Sequence, residues 1–319
     1  MKIIQKNIRH GISHISFKID SLIVDTRIPF DIYIQKDKEY VIILEAGTLL
    51  TDKIYNILSN KEALYILKGD AGKQEVDCTS LQHYVEVNRD LNEKNIQFIY
   101  KTASHLFLKI SDEKYSSLKM SCVESIVQSI IFLIQHNKKY LKETIEYFCD
   151  DYELDFHAIH VAIYTINLGN ALGLDKHELL KLGIAGLLHD IGITKIDDDI
   201  TQKSSELTPQ EFEKIKQHPK RSVEIIEHNH IHNPYIINAV MHHHERYDGS
   251  GYPDKLHEHE ISTFAAIVGI CDVFDALTSN RPHRKKYTYF EALKLMMQDE
   301  SMQNKFNHQY LQVFLKSLI

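Results

Sequence analysis

Residues 241–253 read MHHHERYDGSGYP, three adjacent histidines followed by a glycine-rich turn. Three consecutive imidazoles suit neither a core helix, where each buried ring nitrogen needs a partner, nor a solvated one, where histidine is a mediocre helix former. Neutral imidazole is the commonest protein ligand for a metal, and Gly249 and Gly251 let the backbone turn sharply and approach a bound group closely. The stretch therefore reads as part of a metal site, against the plainer alternative of a polar loop with a chance histidine run.

Partners for such a site recur through the second half of the chain. His157 stands near the start of a helical pattern, His189 and Asp190 adjoin in LLHDIG at 187–192, His218 precedes Pro219, and Asp272 ends the apolar run FAAIVGICD. LGIAGLLHDIGI at 182–193 reads as a buried helix ending at its chemistry, with Gly192 letting it stop. Thr208, Pro209 and Glu211 form a helix-start signal that predicts a helix over 209–217 with His218 at or near its end. On the helix from about residue 155, His157, His160, Val161, Tyr164, Leu168 and Ala171 share one face.

This order of histidines and aspartates, with LTPQEFEKIKQHP at 207–219, HHERYDGSGYP at 243–253, DVFDALTSNRPHR at 272–284 and FNHQYLQVF at 306–314, resembles the HD-GYP family of the HD phosphohydrolase superfamily. The resemblance covers residues 150–319, about half of the chain. It implies an all-α helical bundle and cleavage of cyclic di-GMP to pGpG, with GMP after a second cleavage, by a metal-bridging hydroxide in a polynuclear site. It assigns His157, His189, Asp190, His218, His243, His244 and Asp272 as metal ligands, with Asp190 bridging two ions. It adds Glu153 as ligand to a third ion, where the plain alternative is a surface glutamate in the first helical turn. Asp190 and Asp275 take the catalytic places, Asp275 as a carboxylate behind the ligands or a proton acceptor. Gly251 and Tyr252 shape the substrate entrance, Tyr252 stacking on or hydrogen-bonding a nucleotide. Arg281 and Arg284 match positions where the family presents basic groups to phosphate, which guanidinium suits through paired hydrogen bonds.

An imidazole and carboxylate ligand set without thiolate favours iron or manganese over structural zinc, so two or three such divalent ions are expected. The chain departs from the family at Ile193, where a lysine normally follows the HDxG motif, at Asp197–Asp199, where a proline is typical, and at His160 and His283. Ile193 and the missing proline leave open a weakly active or inactive cyclic-dinucleotide-binding signalling module, and, since no base-reading residue is identifiable, a phosphodiesterase for another cyclic dinucleotide is a further alternative.

Composition agrees with a soluble enzyme. A net charge of −7 over 319 residues argues against a nucleic-acid polymer as partner. Four cysteines at no metal-finger or disulfide-framework spacing fit a reducing compartment. With no leader-type apolar segment and no long uncharged apolar run, the expectation is a cytoplasmic protein without membrane association. Short β-type runs at 31–35, 40–47 and 63–69 place a smaller mixed α/β domain over residues 1–91. It carries no legible chemistry, and the resemblance implies a regulatory or interaction role, as a homodimer contact or through a signalling partner. Residues 92–149 read as a helical connector whose Ile126, Ile130, Ile131 and Ile134 share a face, enough for core packing or a dimer seam. The HD-GYP domain follows over 150–319, so the whole chain is expected to be mainly α.

Overall fold

The computed structural model describes residues 13–17, 19, 22, 27–37, 39–70, 99–100, 102–104, 106, 120–136, 154–201, 203, 205–280 and 286–318. The chain divides into two compact units, Met1–Asp77 and Cys78–Ile319.

The first unit holds β1 (His14–Phe17), β2 (Ile32–Lys36), β3 (Glu39–Leu44), α1 (Asp52–Ser59) and β4 (Leu64–Leu67). The strands form one sheet in the order β1-β4-β2-β3, and every pairing is antiparallel. Asp37 turns β2 into β3 in the left-handed region at φ 50, a conformation that aspartate tolerates better than most residues. Ile32, Leu64 and Ile66 point from the sheet into a core closed by Phe17, Ile28, Phe30, Leu50 and Leu58. Thr51 starts α1 by accepting a hydrogen bond from the Ile54 N–H. Among the described residues the mixed domain expected here is an antiparallel sheet with one helix, β2 and β3 joining as a hairpin.

The second unit is helical among its described residues: α2 (Met120–His136), α3 (Leu154–Ala171), α4 (Lys176–Leu188), α5 (Asp198–Thr201), α6 (Pro209–Ile215), α7 (His218–His228), α8 (Pro234–His242), α9 (Thr263–Thr278), α10 (Tyr289–Gln298) and α11 (His308–Leu318). Helix α3 is the hub, packed against α2, α4, α9 and α11. Residues 157–169 of α3 are all buried, so the single-face stripe read from the sequence does not mark its core side. A helix apolar nearly all round belongs at a centre, not a surface. Gly183 lets α4 approach closely: a Cβ there would meet Val127 of α2 and Ile166 of α3. The isoleucine stripe of α2 is buried against α3 and α4, so core packing accounts for it. Cys122 on α2 is disulfide-bonded, contrary to the cysteine spacing, which signalled no disulfide framework. Tyr164, Phe274 and Phe314 pack edge to face, with Tyr289 tilted against Phe274, and tie α3 to α9, α10 and α11. No helix among the described residues is long and apolar enough to cross a membrane.

Candidate metal centre

His189, Asp190, His218, His243 and His244 sit at the ends of elements, where the backbone changes direction, while His157 and Asp272 project from within α3 and α9. Helix α4 opens with a reciprocal cap between Asp175 and Glu178 and runs only to Leu188. His189 and Asp190 follow in a turn before the 3-10 stretch Ile191–Lys195. Gly192 therefore does not stop the helix. Its backbone lies against α7, where a Cβ would strike the His218 carbonyl and lie 2.5 Å from the Ser222 N. Ser222, fully buried, accepts from the Gly192 N–H at 2.8 Å and donates to the His189 carbonyl at 2.8 Å, fastening the His189–Asp190 turn to α7.

His218 is the first residue of α7 and not the last of α6, which stops at Ile215. Pro219 is the reason: proline cannot donate in the middle of a helix but loses nothing in the first turn. Helix α8 likewise ends at His242, so His243 and His244 lie in the turn beyond it. The expected helical divergence of about 100° does not apply there. Their ring centroids are 4.2 Å apart at 43°, and both face the same cluster.

The seven histidines and aspartates expected as ligands come together. Asp190, His218, His243 and His244 form one group and His157, His189 and Asp272 another, the ligand atoms of each lying within 4.8 Å of one another. Asp190 faces both groups with different oxygens. Oδ1 lies 3.0 Å from His218 Nε2 and 3.5 Å from His243 Nε2, while Oδ2 lies 3.4 Å from His189 Nε2 and 3.6 Å from His157 Nε2. Asp272 spans them too, with Oδ1 3.4 Å from His157 Nε2 and Oδ2 3.8 Å from His244 Nδ1.

The tautomers indicate what the cluster holds. His189, His218 and His243 give their Nδ1–H to the carbonyls of Gly186, Ile215 and Val240 at 2.8, 2.8 and 2.7 Å. With Nδ1 protonated, an Nε2 that carries no proton aims its lone pair at carboxylate oxygens, and His218 Nε2 also lies 3.3 Å from His243 Nε2. Acceptors at such distances repel unless a cation lies between them. His189 Nε2 and Asp190 Oδ1 are buried without a hydrogen-bond partner, the 3.0 Å approach of His218 to Asp190 lacking hydrogen-bond geometry. A buried lone pair left this way is costly. The residues present thus fit divalent cations, one in each group.

The electrostatics agree. Burial opposes ionisation of Asp190, yet His189 and His218 hold its carboxyl well below the usual range. Asp272 is also held low against burial, by His157, His244 and His189. Burial takes the His243 imidazole down to about 4 and sends His244 well below the ordinary histidine value. Burial lowers His218 as well, but Asp190 and the Ile215 carbonyl outweigh it and raise the ring. Ionised carboxylates and neutral imidazoles are the forms that bind metal; Asp190, Asp272, His243 and His244 are held in them, whereas His218 would give up its proton to a bound cation.

Asp275 lies behind this cluster, fully buried. It accepts from His157 Nδ1–H at 2.7 Å, from His160 Nδ1–H at 3.0 Å and from the Ser279 hydroxyl at 3.3 Å. Burial would raise it, but His160 and His157 keep it ionised, well below the ordinary aspartate value. It thus orients His157, as a carboxylate behind a metal-binding histidine does. His160, set aside in the sequence because the family often has arginine there, supplies a second donor to the same carboxylate.

Beyond His244 the chain returns over the cluster. The Tyr252 ring stacks on His244 with centroids 4.7 Å apart at 28°, and its N–H reaches the His244 carbonyl. Burial, with Asp190 and Asp272 nearby, pushes the Tyr252 phenol far up, so it keeps its proton. Gly251 sits where a Cβ would lie 2.5 Å from the His244 carbonyl and the Glu245 Cα, so only glycine fits. Buried Glu245 accepts from the backbone N–H of Asp254 at 2.6 Å and of Leu256 at 3.0 Å, fixing the far side of the loop. Arg246 donates to the His243 and Glu245 carbonyls, at 3.0 and 2.8 Å, and stabilises the turn. Ser222, Glu245 and Arg246 escaped the sequence reading because none belongs to a ligand pattern. Glu153, Arg281, Arg284 and His283 lie outside the described residues.

A helical bundle that gathers histidine and aspartate side chains from five helices or their ends into two adjoining groups able to hold metal has the architecture of an HD-type protein. The chain belongs to the HD domain family, whose pattern matches residues 124–308. It is 34% identical over 162 residues to a cyclic di-GMP phosphodiesterase of Pseudomonas aeruginosa, covering 51% of this chain and 38% of that one. It is 41% identical over 125 residues to the cyclic di-GMP phosphodiesterase response regulator RpfG of Xanthomonas campestris, covering 38% and 32%. It is 34% identical over 137 residues to the 3′3′-cGAMP-specific phosphodiesterase 2 of Vibrio cholerae, covering 43% and 26%. The chain thus spans less than half the length of these relatives. Its fold matches a solved HDG"Y"P protein from Bdellovibrio bacteriovorus with a TM-score of 0.63 at 20% identity, over 96% of this chain and 99% of that one.

Proposed function

We propose that the protein is a metal-dependent phosphodiesterase that hydrolyses cyclic di-GMP to pGpG, and to GMP after a second cleavage. The observation that carries this is Asp190, whose two oxygens each face a separate histidine group. Two divalent ions, iron or manganese, would be held there and would supply an activated water while neutralising phosphoryl oxygens. The chain's own contribution is to keep Asp190 and Asp272 ionised, to hold the histidine Nε2 lone pairs inward through their Nδ1 bonds, and to orient His157 through Asp275. Tyr252 keeps its phenolic proton and is available to donate to a phosphate oxygen. Arg281 and Arg284 are proposed to bind phosphate, and Glu153 to hold a third ion. Residues 1–91 are proposed as a regulatory or interaction module, in a homodimer or with a signalling partner, joined by residues 92–149 to the catalytic domain over 150–319.

Ile193 favours a second reading, since an alkyl side chain stands where the family carries its lysine. In that reading the protein binds a cyclic dinucleotide and hydrolyses it slowly. The test is anaerobic reconstitution with iron or manganese and incubation with cyclic di-GMP and 3′3′-cGAMP, products being separated by chromatography. Metal-dependent turnover that Asp190→Ala abolishes supports the enzyme. Tight binding without turnover selects the slow module, and neither binding nor turnover refutes both.

A further inference from the structure

Helix α6 contributes no buried residue, yet it is held firmly. Thr208 and Glu211 cap it reciprocally, and Lys203 Nζ reaches the Glu211 carboxylate at 2.6 Å. A helix fixed at its start but burying nothing presents side chains outward. Phe212 is 44% exposed, so a face of its ring is open to solvent.

Lys216, at the end of α6, connects this ring to the metal centre. Its ammonium lies 4.9 Å from the Phe212 ring centroid and 5.9 Å from that of Tyr252. Tyr252 in turn stacks on His244 and lies 6.4 Å from the His218 ring. Phe212, Lys216 and Tyr252 thus form a ladder of ring, cation and ring leading from solvent to the cage. The other partner of Lys216 is Glu213 at 2.6 Å, a mostly exposed carboxylate whose pairing is weak enough to exchange for a phosphate.

We propose that Phe212 and Lys216 form, with Tyr252, a subsite for the half of a cyclic dinucleotide that does not react. Resting on the cyclic-dinucleotide reading above, it assigns the second phosphate to the Lys216 ammonium and a purine to the exposed face of Phe212. Such a substrate carries two diester phosphates on one ring. With one at the metal cage, the other and its bases must be held outside it, where a cation and a stacking ring meet both needs.

Metal-loaded wild type, Lys216→Met, Lys216→Arg and Phe212→Ala are compared on cyclic di-GMP and on methyl p-nitrophenyl phosphate, a diester without second phosphate or base. Calorimetry measures cyclic di-GMP binding in parallel. Lys216→Met and Phe212→Ala should each weaken cyclic di-GMP binding and raise its KM by about tenfold, Lys216→Arg should restore most of it, and hydrolysis of the small diester should not change. Equal losses on both diesters would mean that the changes only disturb His218, and no loss on either would mean that the ladder touches no substrate; both overturn the proposal. A wild type that cleaves the small diester but neither binds nor cleaves cyclic di-GMP overturns the subsite and leaves metal-dependent hydrolysis standing. A wild type that cleaves neither diester and binds no cyclic di-GMP sinks the underlying reading as well.

Discussion

Replacing Asp275 by asparagine keeps the side chain's shape and removes its charge where the structure offers no substitute. The carboxylate accepts from His157 Nδ1–H at 2.7 Å and His160 Nδ1–H at 3.0 Å, one on each oxygen, with no exposure to water. An amide has a single acceptor oxygen, so one imidazole N–H must face an NH2 group instead. Losing a charged acceptor from a buried pair costs about 3 kcal/mol. At roughly 2–4 °C per kcal/mol for a unit of this size, the metal-free protein should melt roughly 6–12 °C lower. Because His157 is the one expected metal ligand among the donors to Asp275, an ion held by His157, His189 and Asp272 should bind about 10- to 100-fold more weakly. The ion held by Asp190, His218, His243 and His244 should keep its affinity. Chelator-competition titration with manganese resolves the two affinities, and circular dichroism of the metal-free variant checks that the helices persist. A variant that binds both ions as tightly as wild type, or weakens both equally with its helices intact, would refute the role given to Asp275.

Asp190→Ala should reduce bound metal from two ions per chain to one or none by elemental analysis, and full occupancy would exclude the bridging role. Gly192→Ala drives a methyl into the His218 carbonyl and Ser222 N–H; it should cost about 1–3 kcal/mol in chemical denaturation, and an unchanged midpoint would refute the close approach. His243, held down to about 4, stays neutral in the folded chain while its unfolded counterpart titrates near 6.5. Between those values the unfolded chain binds more protons, so metal-free stability should fall by about 3 kcal/mol as pH drops from about 6.5 to about 4. His218, raised by Asp190, works the other way: its contribution is complete below about 6.5 and is lost as pH rises through its folded value. Urea denaturation across that range should therefore show a shallower slope in His243→Gln than in wild type. Ile193→Lys should raise hydrolysis by about 10²-fold if the position lacks a needed cation, and an unchanged rate would show that the charge is already supplied.

That these seven histidines and aspartates would gather was legible in the linear chain, because imidazole and carboxylate recur there in a family-specific order. Their division into two groups was not. It depends on which oxygen of Asp190 faces which ring, a matter of helices and turns brought together from positions up to 115 residues apart, His157 to Asp272. Local pattern also misassigned three turning points, at Gly192, His218 and His243–His244, since each is set by what packs against the backbone and not by propensity. Gly192 is small because α7 crosses it. His218 begins a helix because Pro219 needs a first turn. His243 and His244 can face one cluster because α8 stops one residue earlier. The partners of Asp275, His157 and His160 on α3, lie more than 110 residues away in the chain. Only burial brings them together, and in a buried site the carboxylate must find donors or remain neutral.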